Sequence, residues 1–522
     1  MIALEAHPLC CTHTATIMTA NYIMALDLGT TGNRAIIFDR EGQIAGQAYR
    51  ELTQYYPQPG WVEHNPREIW EEIDWAMGSA ISKAGLNPKD IAAIGLTVQR
   101  ETCLLWDSST GRPLANAIVW QDRRTAPLCN QLREAGKAAE IYDRTGLVLD
   151  AYFSATKLAW LLDQAKKEAD PPVDFDQVLA GTVDSWVLWN LTGRQVHATD
   201  HSNASRTMLL NIDNGQWDDD LLALFDIPAH MMPTIKPSVG IVGHTDPAIL
   251  GAEIPIAAIF GDQQAALYGH GCDRPGLLKC TYGTGAFLVS HTGAEVVRSK
   301  NQLLSTVAWS QANGDARHPK IGYAIEGSMF TAGACIQWLR DGLQLISNAA
   351  ETEFLAQKAG GNNGVFFVPA LSGLGAPHWD MNARGSFQGL TASAQREHLV
   401  RSVLEAIAFE VNEVVNAVNQ DAGIPIRQLV VDGGACNNDF LMQFQADVLG
   451  IPVERPEVLD VTAQGAAFAA GLAIGFWDDY RALVERRPID RMFEPGDRQK
   501  SAQADFHLWM EAVTRAKGWI NE

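Results

Sequence analysis

The chain has 522 residues, enough for two large domains, and its hydrophobic content of 47% is ordinary for a globular protein. A formal net charge of -21 excludes a general nucleic-acid-binding surface, so a polyanionic ligand must be held by local groups. No apolar run reaches the length needed to cross a bilayer, so membrane insertion is not expected. The eight cysteines include no CxxC pair, and their scattered positions indicate a reduced, cytoplasmic chain.

Residues 1–20 are predicted to be a disordered lead, or to precede a true start at Met18 or Met24. The segment lacks the basic region and the sustained apolar core of a secretion signal. The remainder is predicted to form two domains, over residues 21–268 and 269–522.

The first informative stretch, Tyr22 to Phe38, predicts a strand, a polar turn and a returning strand. Glycines in the turn expose backbone N–H groups that can bind phosphate oxygens. The hydroxyls of Thr30 and Thr31 can donate to phosphate, and Arg34 can bind a terminal phosphate with two N–H groups. Asp27 lies at the end of the first strand and can reach Mg²⁺ through water. An ordinary hairpin whose glycines only make the turn is the alternative.

Two further strand ends carry reactive side chains. Arg100 and Glu101 follow the predicted strand Ile91–Val98, and together they offer a donor fork and an acceptor that suit vicinal hydroxyls. A surface ion pair is the alternative, and this observation alone favours it. Asp262 follows the buried strand Ile254–Phe260, at the edge where α/β sheets place reactive groups, so it is a candidate general base or an N-cap.

The second domain is predicted to repeat the opening hairpin. A strand at Leu277–Thr281 leads into the turn Tyr282–Gly285 and a returning strand at Ala286–Ser290. Two such glycine–threonine loops, one in each half, can grip one polyphosphate from opposite sides. The stretch Ala324–Leu345 is predicted to be mostly helical. A diglycine at 433–434 follows another strand and allows a purine and ribose to lie against the backbone.

The duplicated hairpin is similar to the phosphate loops of actin-like ATPases. No GxxxxGK[ST], HExxH or GxSxG motif occurs, so a P-loop ATPase, a zinc peptidase and an esterase lose support. The expected fold class is α/β, with two related actin-like (ribonuclease H-like) ATPase domains and a nucleotide cleft between them.

From about Tyr22 to the C-terminal helix, the chain resembles the FGGY carbohydrate kinase family. The stretch Tyr152–Gln164 fits the first signature of that family, and Gly385–Leu390 with His398–Glu405 fits the second. Four shorter motifs are similar to those of members that phosphorylate glycerol: Pro59–His64, Gln99–Thr102, Trp120–Gln121 and Gly261–Gln264.

The resemblance implies that ATP, with Mg²⁺, phosphorylates glycerol to sn-glycerol 3-phosphate, with Asp262 as the general base. The residues it implies for the glycerol hydroxyls are Arg100, Glu101, Tyr152, Asp262 and Gln263. The residues it implies for the glycerol carbons are Trp120 and Phe287, although Trp120 alone reads as a core residue. The residues it implies for ATP are Thr30, Thr31, Arg34, Thr284, Gly333, Gln337, Gly434 and Asn438, with Gly327 in the same cleft. It also implies a homodimer or homotetramer.

The first loop departs from the family pattern, because Leu28, Gly32 and Asn33 stand where a glutamine and two serines are common. Gly32 removes a hydroxyl donor, so one phosphate contact must come from the backbone or be missing.

Two alternative functions stay open on the sequence. One is an FGGY kinase for a longer polyol or a ketose, against which bulky Trp120 and Phe287 favour a small triol. The other is a non-metabolic actin-like ATPase, which needs no polyol-binding residues. A dependence of ATPase activity on an added polyol separates the two classes.

Overall fold

The computed structural model describes residues 20–168, 173–312 and 319–520. Residues 1–19 lie outside these ranges, so the disordered lead expected over residues 1–20 stays a prediction.

Within the described residues the chain forms 24 strands and 16 α-helices. The strands are β1 (Tyr22–Leu28), β2 (Gly32–Phe38), β3 (Ile44–Glu51), β4 (Glu63–His64), β5 (Ile91–Val98), β6 (Cys103–Asp107), β7 (Arg112–Pro113), β8 (Ala117–Ile118), β9 (Val178–Thr182), β10 (Ala198–Asp200), β11 (Leu210–Asn211), β12 (Gln216–Trp217), β13 (Thr234–Lys236), β14 (Val239–His244), β15 (Pro255–Gly261), β16 (Leu277–Tyr282), β17 (Ala286–Gly293), β18 (Leu304–Gln311), β19 (Lys320–Met329), β20 (Phe366–Val368), β21 (Ser386–Gln388), β22 (Gln428–Asp432), β23 (Val453–Pro456) and β24 (Ile489–Phe493). The helices are α1 (Pro66–Ala84), α2 (Ala126–Glu134), α3 (Ala138–Thr145), α4 (Ser154–Glu168), α5 (Val183–Leu191), α6 (His201–Ala204), α7 (Asp219–Leu224), α8 (Pro247–Leu250), α9 (Asp262–Gly269), α10 (Gly333–Asp341), α11 (Glu351–Lys358), α12 (Arg396–Ala422), α13 (Asp439–Leu449), α14 (Val461–Ala473), α15 (Tyr480–Glu485) and α16 (Gln499–Ala516).

Thirteen strands form one sheet in the order β24-β23-β22-β16-β17-β19-β18-β14-β15-β5-β1-β2-β3. The order β3-β2-β1-β5-β15 contains two antiparallel pairings followed by two parallel ones. The order β19-β17-β16-β22-β23 repeats the same polarity. Two copies of one five-strand unit therefore stand side by side, which confirms the predicted α/β fold with two related domains.

Helices α9 and α14 cross at the junction between the two units. Helix α14 packs on β1, β5 and β15 of the first unit, and α9 packs on β16 and β17 of the second. Glycines make the crossing close, because a Cβ at Gly465 would lie 2.0 Å from the carbonyl oxygen of Ala265. The crossing brings the N-terminus of α9, where Asp262 lies, to the boundary between the units.

Helix α1 shows how local sequence sets an element. The side chain of Asn65 accepts a hydrogen bond from the backbone N–H of Arg67, and Pro66 occupies the first turn. Gly85 ends the helix with φ of +69°. The apolar stripe of the helix is buried against β2 and β3, as its spacing predicts.

The helix predicted over Ala324–Leu345 is wrong in its first part. Residues up to Met329 belong to β19, which pairs with β17 and β18, and only Gly333–Asp341 is helical. Sheet pairing overrides local propensity there. Across the ranges given above, no helix has the length and apolar character that a membrane span requires.

Candidate active site

A cavity of about 680 Å³ lies where the two units meet. Eleven of the residues predicted for ligand binding line it: Thr30, Thr31, Arg100, Glu101, Trp120, Tyr152, Asp262, Gln263, Thr284, Phe287 and Gln337. Six predicted residues are not among those that line it: Asp27, Arg34, Gly327, Gly333, Gly434 and Asn438. The cavity therefore joins the two hairpin loops to the candidate base, although these parts are far apart in sequence.

The first loop connects β1 to β2 and is closed by a hydrogen bond from the N–H of Gly29 to the carbonyl of Gly32, at 3.0 Å. The hydroxyl oxygen of Thr30 accepts a hydrogen bond from the indole N–H of Trp120, at 2.9 Å. A Cβ at Gly32 would lie 2.6 Å from the carbonyl oxygen of Arg50, so neighbouring β3 requires glycine there. This packing explains the missing hydroxyl at position 32.

The second loop connects β16 to β17 and lies against the start of α10. The carbonyl of Thr284 accepts the N–H of Ala332 at 2.8 Å, and that of Gly283 accepts the N–H of Gly333 at 2.9 Å. A Cβ at Gly333 would lie 2.5 Å from the carbonyl oxygen of Gly283. Gly333 thus supports the loop from behind, while Gln337, one helical turn later, reaches the cavity.

Arg34 connects the first loop to the second unit. Its guanidinium forms a short ion pair with Asp460, and its Nε lies 3.6 Å from Oδ2 of Asp27. Burial raises the pKa of Asp27 to about 7. The guanidinium of Arg34 lowers this pKa in part, whereas the nearby carboxylates of Asp262 and Asp460 raise it further. Two carboxylates, those of Asp27 and Asp460, therefore share the guanidinium of Arg34 at this edge of the cavity.

Arg100 lies in a fully buried ion-pair network. Its two terminal nitrogens donate to the two carboxylate oxygens of Glu326 at 2.6 and 3.0 Å, so the fork does not face the cavity. This corrects the interpretation that the fork binds two hydroxyls, and it leaves the Nε edge, 3.3 Å from Asp262, beside the cavity. Burial alone raises the pKa of Glu326, but Arg100 and Arg206 outweigh it and lower that pKa to about 2.

Arg206 completes this network. It donates to Glu101 at 2.6 Å and to Glu326 at 3.0 Å. Glu101 has φ of +62°, a strained value for a residue with a side chain. Arg206, itself held by Glu326, pairs with Glu101, stabilises that strained turn and keeps the Glu101 carboxylate at the cavity wall.

Asp262 is the first residue of α9, and its carboxylate is 30% exposed toward the cavity. One carboxylate oxygen accepts the backbone N–H of Gln263 at 2.7 Å. The helix N-terminus and the nearby Arg100 both favour a negative charge there. Gly261 is the N-cap and Asp262 the first helical residue, which corrects the N-cap interpretation, and the carboxylate of Asp262 faces the cavity as a general base must.

Three aromatic rings form the apolar side of the cavity. Trp120 meets Tyr152 edge to face at 5.7 Å and Phe287 at 5.9 Å between ring centroids. Phe287 belongs to the second unit, so the contact with Trp120 spans the boundary between the units. The rings leave room for a small carbon chain and make Trp120 part of the site.

The remaining predicted residues lie outside the cavity lining. The side chain of Asn438 caps α13 by accepting the N–H of Leu441 at 2.9 Å, and it donates to Thr352 at 3.0 Å. Gly434 is exposed, with no atom within 4 Å of a Cβ built on it. Gly327 lies within β19, where a Cβ would lie 2.3 Å from a methyl of Val414, which corrects its expected place in the cleft.

Sequence reasoning missed Glu326, Arg206 and Lys279. All three are fully buried, and each stands in an otherwise apolar or uncharged stretch. A charged residue inside a buried strand must have a partner, because an unpaired buried charge is too costly. An isolated charge in such a stretch therefore shows that these three positions need partners, but it does not identify the partners.

Comparisons with known proteins agree with this geometry. The N-terminal domain of the FGGY family of carbohydrate kinases matches residues 22–269, and its C-terminal domain matches residues 278–474. A glycerol kinase from Acaryochloris marina is 69% identical over 503 residues, 96% of this chain and 100% of the relative. A glycerol kinase from a Nostoc species is 65% identical over 504 residues, 97% of this chain and 100% of the relative. The crystal structure of Plasmodium falciparum glycerol kinase with ADP superimposes with a TM-score of 0.87 at 35% identity, covering 96% of this chain and 99% of that one.

Proposed function

The chain belongs to the FGGY family of carbohydrate kinases, and from that membership we infer that ATP phosphorylates glycerol in the cavity between its two units. The observation that carries this conclusion is the joining of Asp262 and both glycine–threonine loops in one cavity. The likeness to glycerol kinases at 65–69% identity over nearly the whole chain supports glycerol as the acceptor.

The chemical step that this arrangement supports is in-line transfer. A terminal hydroxyl oxygen of glycerol attacks the γ-phosphorus, the bond from that phosphorus to the bridging oxygen breaks, and ADP leaves with the electron pair. Asp262 accepts the hydroxyl proton. It suits this role because its carboxylate faces the cavity and is held by the N–H of Gln263.

Glycerol recognition is assigned to the buried network and the aromatic rings. Glu101 accepts from a hydroxyl, while the Nε edge of Arg100 and the amide of Gln263 donate to hydroxyl oxygens. Tyr152 adds its phenol group, and the faces of Trp120 and Phe287 contact the carbons. Arg206 and Glu326 act through Arg100 and Glu101, so they are positioning residues.

ATP binding is assigned to the loops and the helix ends around them. Hydroxyls of Thr30, Thr31 and Thr284 and nearby backbone N–H groups bind phosphate oxygens, and Gln337 lies beside them. Arg34 binds the transferring phosphoryl group after exchanging its pair with Asp460. Gly434 offers open backbone for the adenosine, and Asn438, at the start of α13, lies at the same end.

Mg²⁺ fits the edge of the cavity. Asp27 and Asp460 share the guanidinium of Arg34, and Asp262 is close enough to raise the pKa of Asp27, so a divalent cation would offset an excess of negative charge there. No group of three metal-ligating side chains is preassembled in the described part of the chain. This suits Mg²⁺, which keeps its waters and binds mainly through phosphates. When bound with ATP, Mg²⁺ would supply positive charge that offsets the charge of the phosphoryl group, and Asp27 is the residue that would hold it, through water.

A cytoplasmic setting is part of the same proposal. The cysteines that the structure describes are unpaired and buried, as expected in a reducing compartment.

ADP release by the purified protein tests the proposed function. The protein is mixed with Mg-ATP alone, with glycerol, and with a panel of longer polyols and ketoses. We expect strong stimulation by glycerol. Stimulation by another polyol only changes the substrate and keeps the kinase, whereas ATP hydrolysis indifferent to every polyol contradicts the proposal.

A further inference from the structure

Lys279 is a fully buried cation that lies behind the catalytic turn. It belongs to β16, and its whole side chain is inaccessible to solvent. Its ammonium donates a short hydrogen bond to the side-chain oxygen of Gln263 and another, of 2.9 Å, to the hydroxyl of Thr281. Both Gln263 and Thr281 line the cavity, whereas Lys279 does not. Burying an ammonium group is costly, so this position needs a physical reason.

Thr281, which accepts from Lys279, also hydrogen-bonds Asp432, so a chain of bonds continues from Lys279 to the far side of the second unit. Asp432 accepts a bond from His270 at 2.5 Å, and its pKa is lowered against the effect of burial by His270, Lys279 and Thr281. Behind His270, a guanidinium nitrogen of Arg487 lies 2.7 Å from Nδ1 of the imidazole. Burial lowers the pKa of Lys279, and the carboxylate of Asp432 is the strongest of the nearby charges that oppose this effect.

The direction of each bond in this chain is determined by its ends. A guanidinium has no acceptor atom, so Arg487 donates to Nδ1 of His270 and leaves the proton on Nε2. Burial lowers the pKa of His270 to about 4, which keeps the imidazole neutral in that tautomer. His270 then donates to Asp432.

The same rule applies at the other end of the chain. An ammonium group also has no acceptor atom, so Lys279 can only donate to Gln263. The atom of Gln263 that faces Lys279 must be the amide oxygen, because an amide NH₂ there would meet another donor. An amide orientation that is usually ambiguous is therefore determined by chemistry.

We propose that Lys279 is a positioning residue that fixes the amide of Gln263 so that its NH₂ group, and not its oxygen, is presented to the substrate. This inference rests on the proposed function, since it assigns a role to Gln263 in the glycerol site. It gives the two neighbouring residues opposite roles: the carboxylate of Asp262 accepts from a hydroxyl, and Gln263 donates to a hydroxyl oxygen. A reacting hydroxyl needs both, because it loses its proton while its oxygen is held in line.

The test is a double-mutant cycle on the glycerol KM of the full chain. Gln263→Met keeps the length of the side chain and removes both polar ends. Lys279→Met keeps the stem of the lysine and removes the donor. ADP release is measured against glycerol and against Mg-ATP for the wild type, both single variants and the double variant.

We expect Gln263→Met to raise the glycerol KM about tenfold, the loss typical of one hydrogen bond to a group left unpaired. Lys279→Met is expected to raise it roughly threefold to tenfold, because Gln263 then turns freely. The double variant is expected to match Gln263→Met within about twofold, since a residue that acts only through Gln263 has no effect once Gln263 is removed. The KM for Mg-ATP is expected to stay within about twofold throughout.

Lys157 provides a matched control. It is also a fully buried lysine, but its ammonium donates to backbone carbonyls, those of Ala151 at 2.7 Å and Tyr152 at 2.6 Å. Lys157→Met is expected to combine multiplicatively with Gln263→Met, because the two side chains share no bond.

If the glycerol KM of the double variant rises by the product of the two single-variant increases, the proposal is overturned. If Lys279→Met does not fold, an unchanged glycerol KM in Gln263→Met also overturns it. Absence of glycerol-dependent ADP release in the wild type is a different result, because it contradicts the proposed function and not the position of Lys279.

Discussion

On the proposed glycerol side of the cavity the charged groups are already bound to one another, whereas on the proposed phosphate side several polar groups have no side-chain partner. Arg100, Glu101, Arg206 and Glu326 form one buried network that crosses the boundary between the units. Among the described residues, the hydroxyls of Thr31 and Thr284 make no hydrogen bond, and both residues are exposed. The polyol side is therefore preorganised by the protein, while the phosphate side is completed by its ligand.

The difference follows from the chemistry of the two ligands. Glycerol is small and neutral, so it can be recognised only by donors and acceptors held in fixed positions. A triphosphate carries enough charge to organise loops and cations around itself. Arg34 illustrates the second case, because it must exchange its pair with Asp460 for a phosphate.

Removing the proposed base is the change expected to have the largest effect. Asp262→Asn keeps the shape of the residue and its place at the start of α9 but removes the proton acceptor. We expect kcat to fall by about 10²- to 10⁴-fold with little change in thermal stability. Steady-state ADP release and a thermal melt provide the two measurements.

A matched control for this variant is Asp246→Asn. Asp246 caps α8 by accepting the N–H of Ala248 at 2.9 Å and is not a cavity residue. It is expected to keep the wild-type kcat, since asparagine caps a helix as well as aspartate does. Near-normal turnover in Asp262→Asn removes Asp262 from the mechanism.

Breaking the network tests the polyol side. Glu326→Gln leaves the two buried guanidiniums with Glu101 as their one buried carboxylate, and we expect a loss of about 3–5 kcal/mol in the free energy of unfolding. Because Arg100 and Arg206 then lose their positions, the KM for glycerol should increase by a much larger factor than the KM for Mg-ATP. Urea denaturation and initial rates at varied glycerol and ATP measure both effects.

The pair Arg401–Glu405 in α12 provides the comparison. It is also buried, with a separation of 2.6 Å, but it lies away from the cavity. Glu405→Gln should alter stability and leave both KM values within about twofold. Equal KM increases for glycerol and ATP in Glu326→Gln mean that the network is structural only.

Acid should weaken the same network. The pKa of Glu326 is lowered from 4.5 to about 2, so its stabilising contribution is complete above about pH 4.5 and is lost as the pH falls towards 2. At about 1.4 kcal/mol for each pKa unit, the contribution is of order 3 kcal/mol. The difference in unfolding free energy between wild type and Glu326→Gln should therefore narrow over this range in urea titrations. A difference that stays constant down to pH 2 contradicts the lowered pKa.

The smallest effect is expected on the phosphate side. Thr31→Val or Thr284→Val removes one hydroxyl of a set that includes backbone N–H groups. We expect the Mg-ATP KM to rise about twofold to tenfold, with the glycerol KM unchanged. Initial rates at saturating glycerol measure the first value. A larger change in the glycerol KM than in the ATP KM would contradict the assignment of these loops to phosphate binding.

The two sides also differ in how far the sequence predicted them. Glycine–threonine hairpins are local patterns, so the phosphate loops and the strand ends carrying Arg100 and Asp262 are visible in the chain itself. The network depends on Glu326, which lies more than two hundred residues from Arg100 and appears only as an isolated charge in an apolar strand. Long-range pairing of this kind follows from sheet order, which the sequence pattern does not specify.

The proposed adenosine site shows the same limit of sequence-based prediction. The diglycine at 433–434 predicted a close approach, and a Cβ at Gly433 would indeed lie 2.5 Å from the carbonyl oxygen of Tyr282. That contact joins β22 to β16 within the protein. The sequence thus predicts that another group comes close to the glycine backbone. It does not predict whether that group belongs to a ligand or to another strand.

Titration of glycerol into the nucleotide-free protein, followed by calorimetry, tests the preorganised polyol side most directly. The account predicts saturable binding of one glycerol per chain, with a dissociation constant within about tenfold of the glycerol KM, and weaker binding in Glu326→Gln. If glycerol binds only after nucleotide is added, the polyol side is not formed by the protein alone, and the contrast between the two sides of the cavity is wrong.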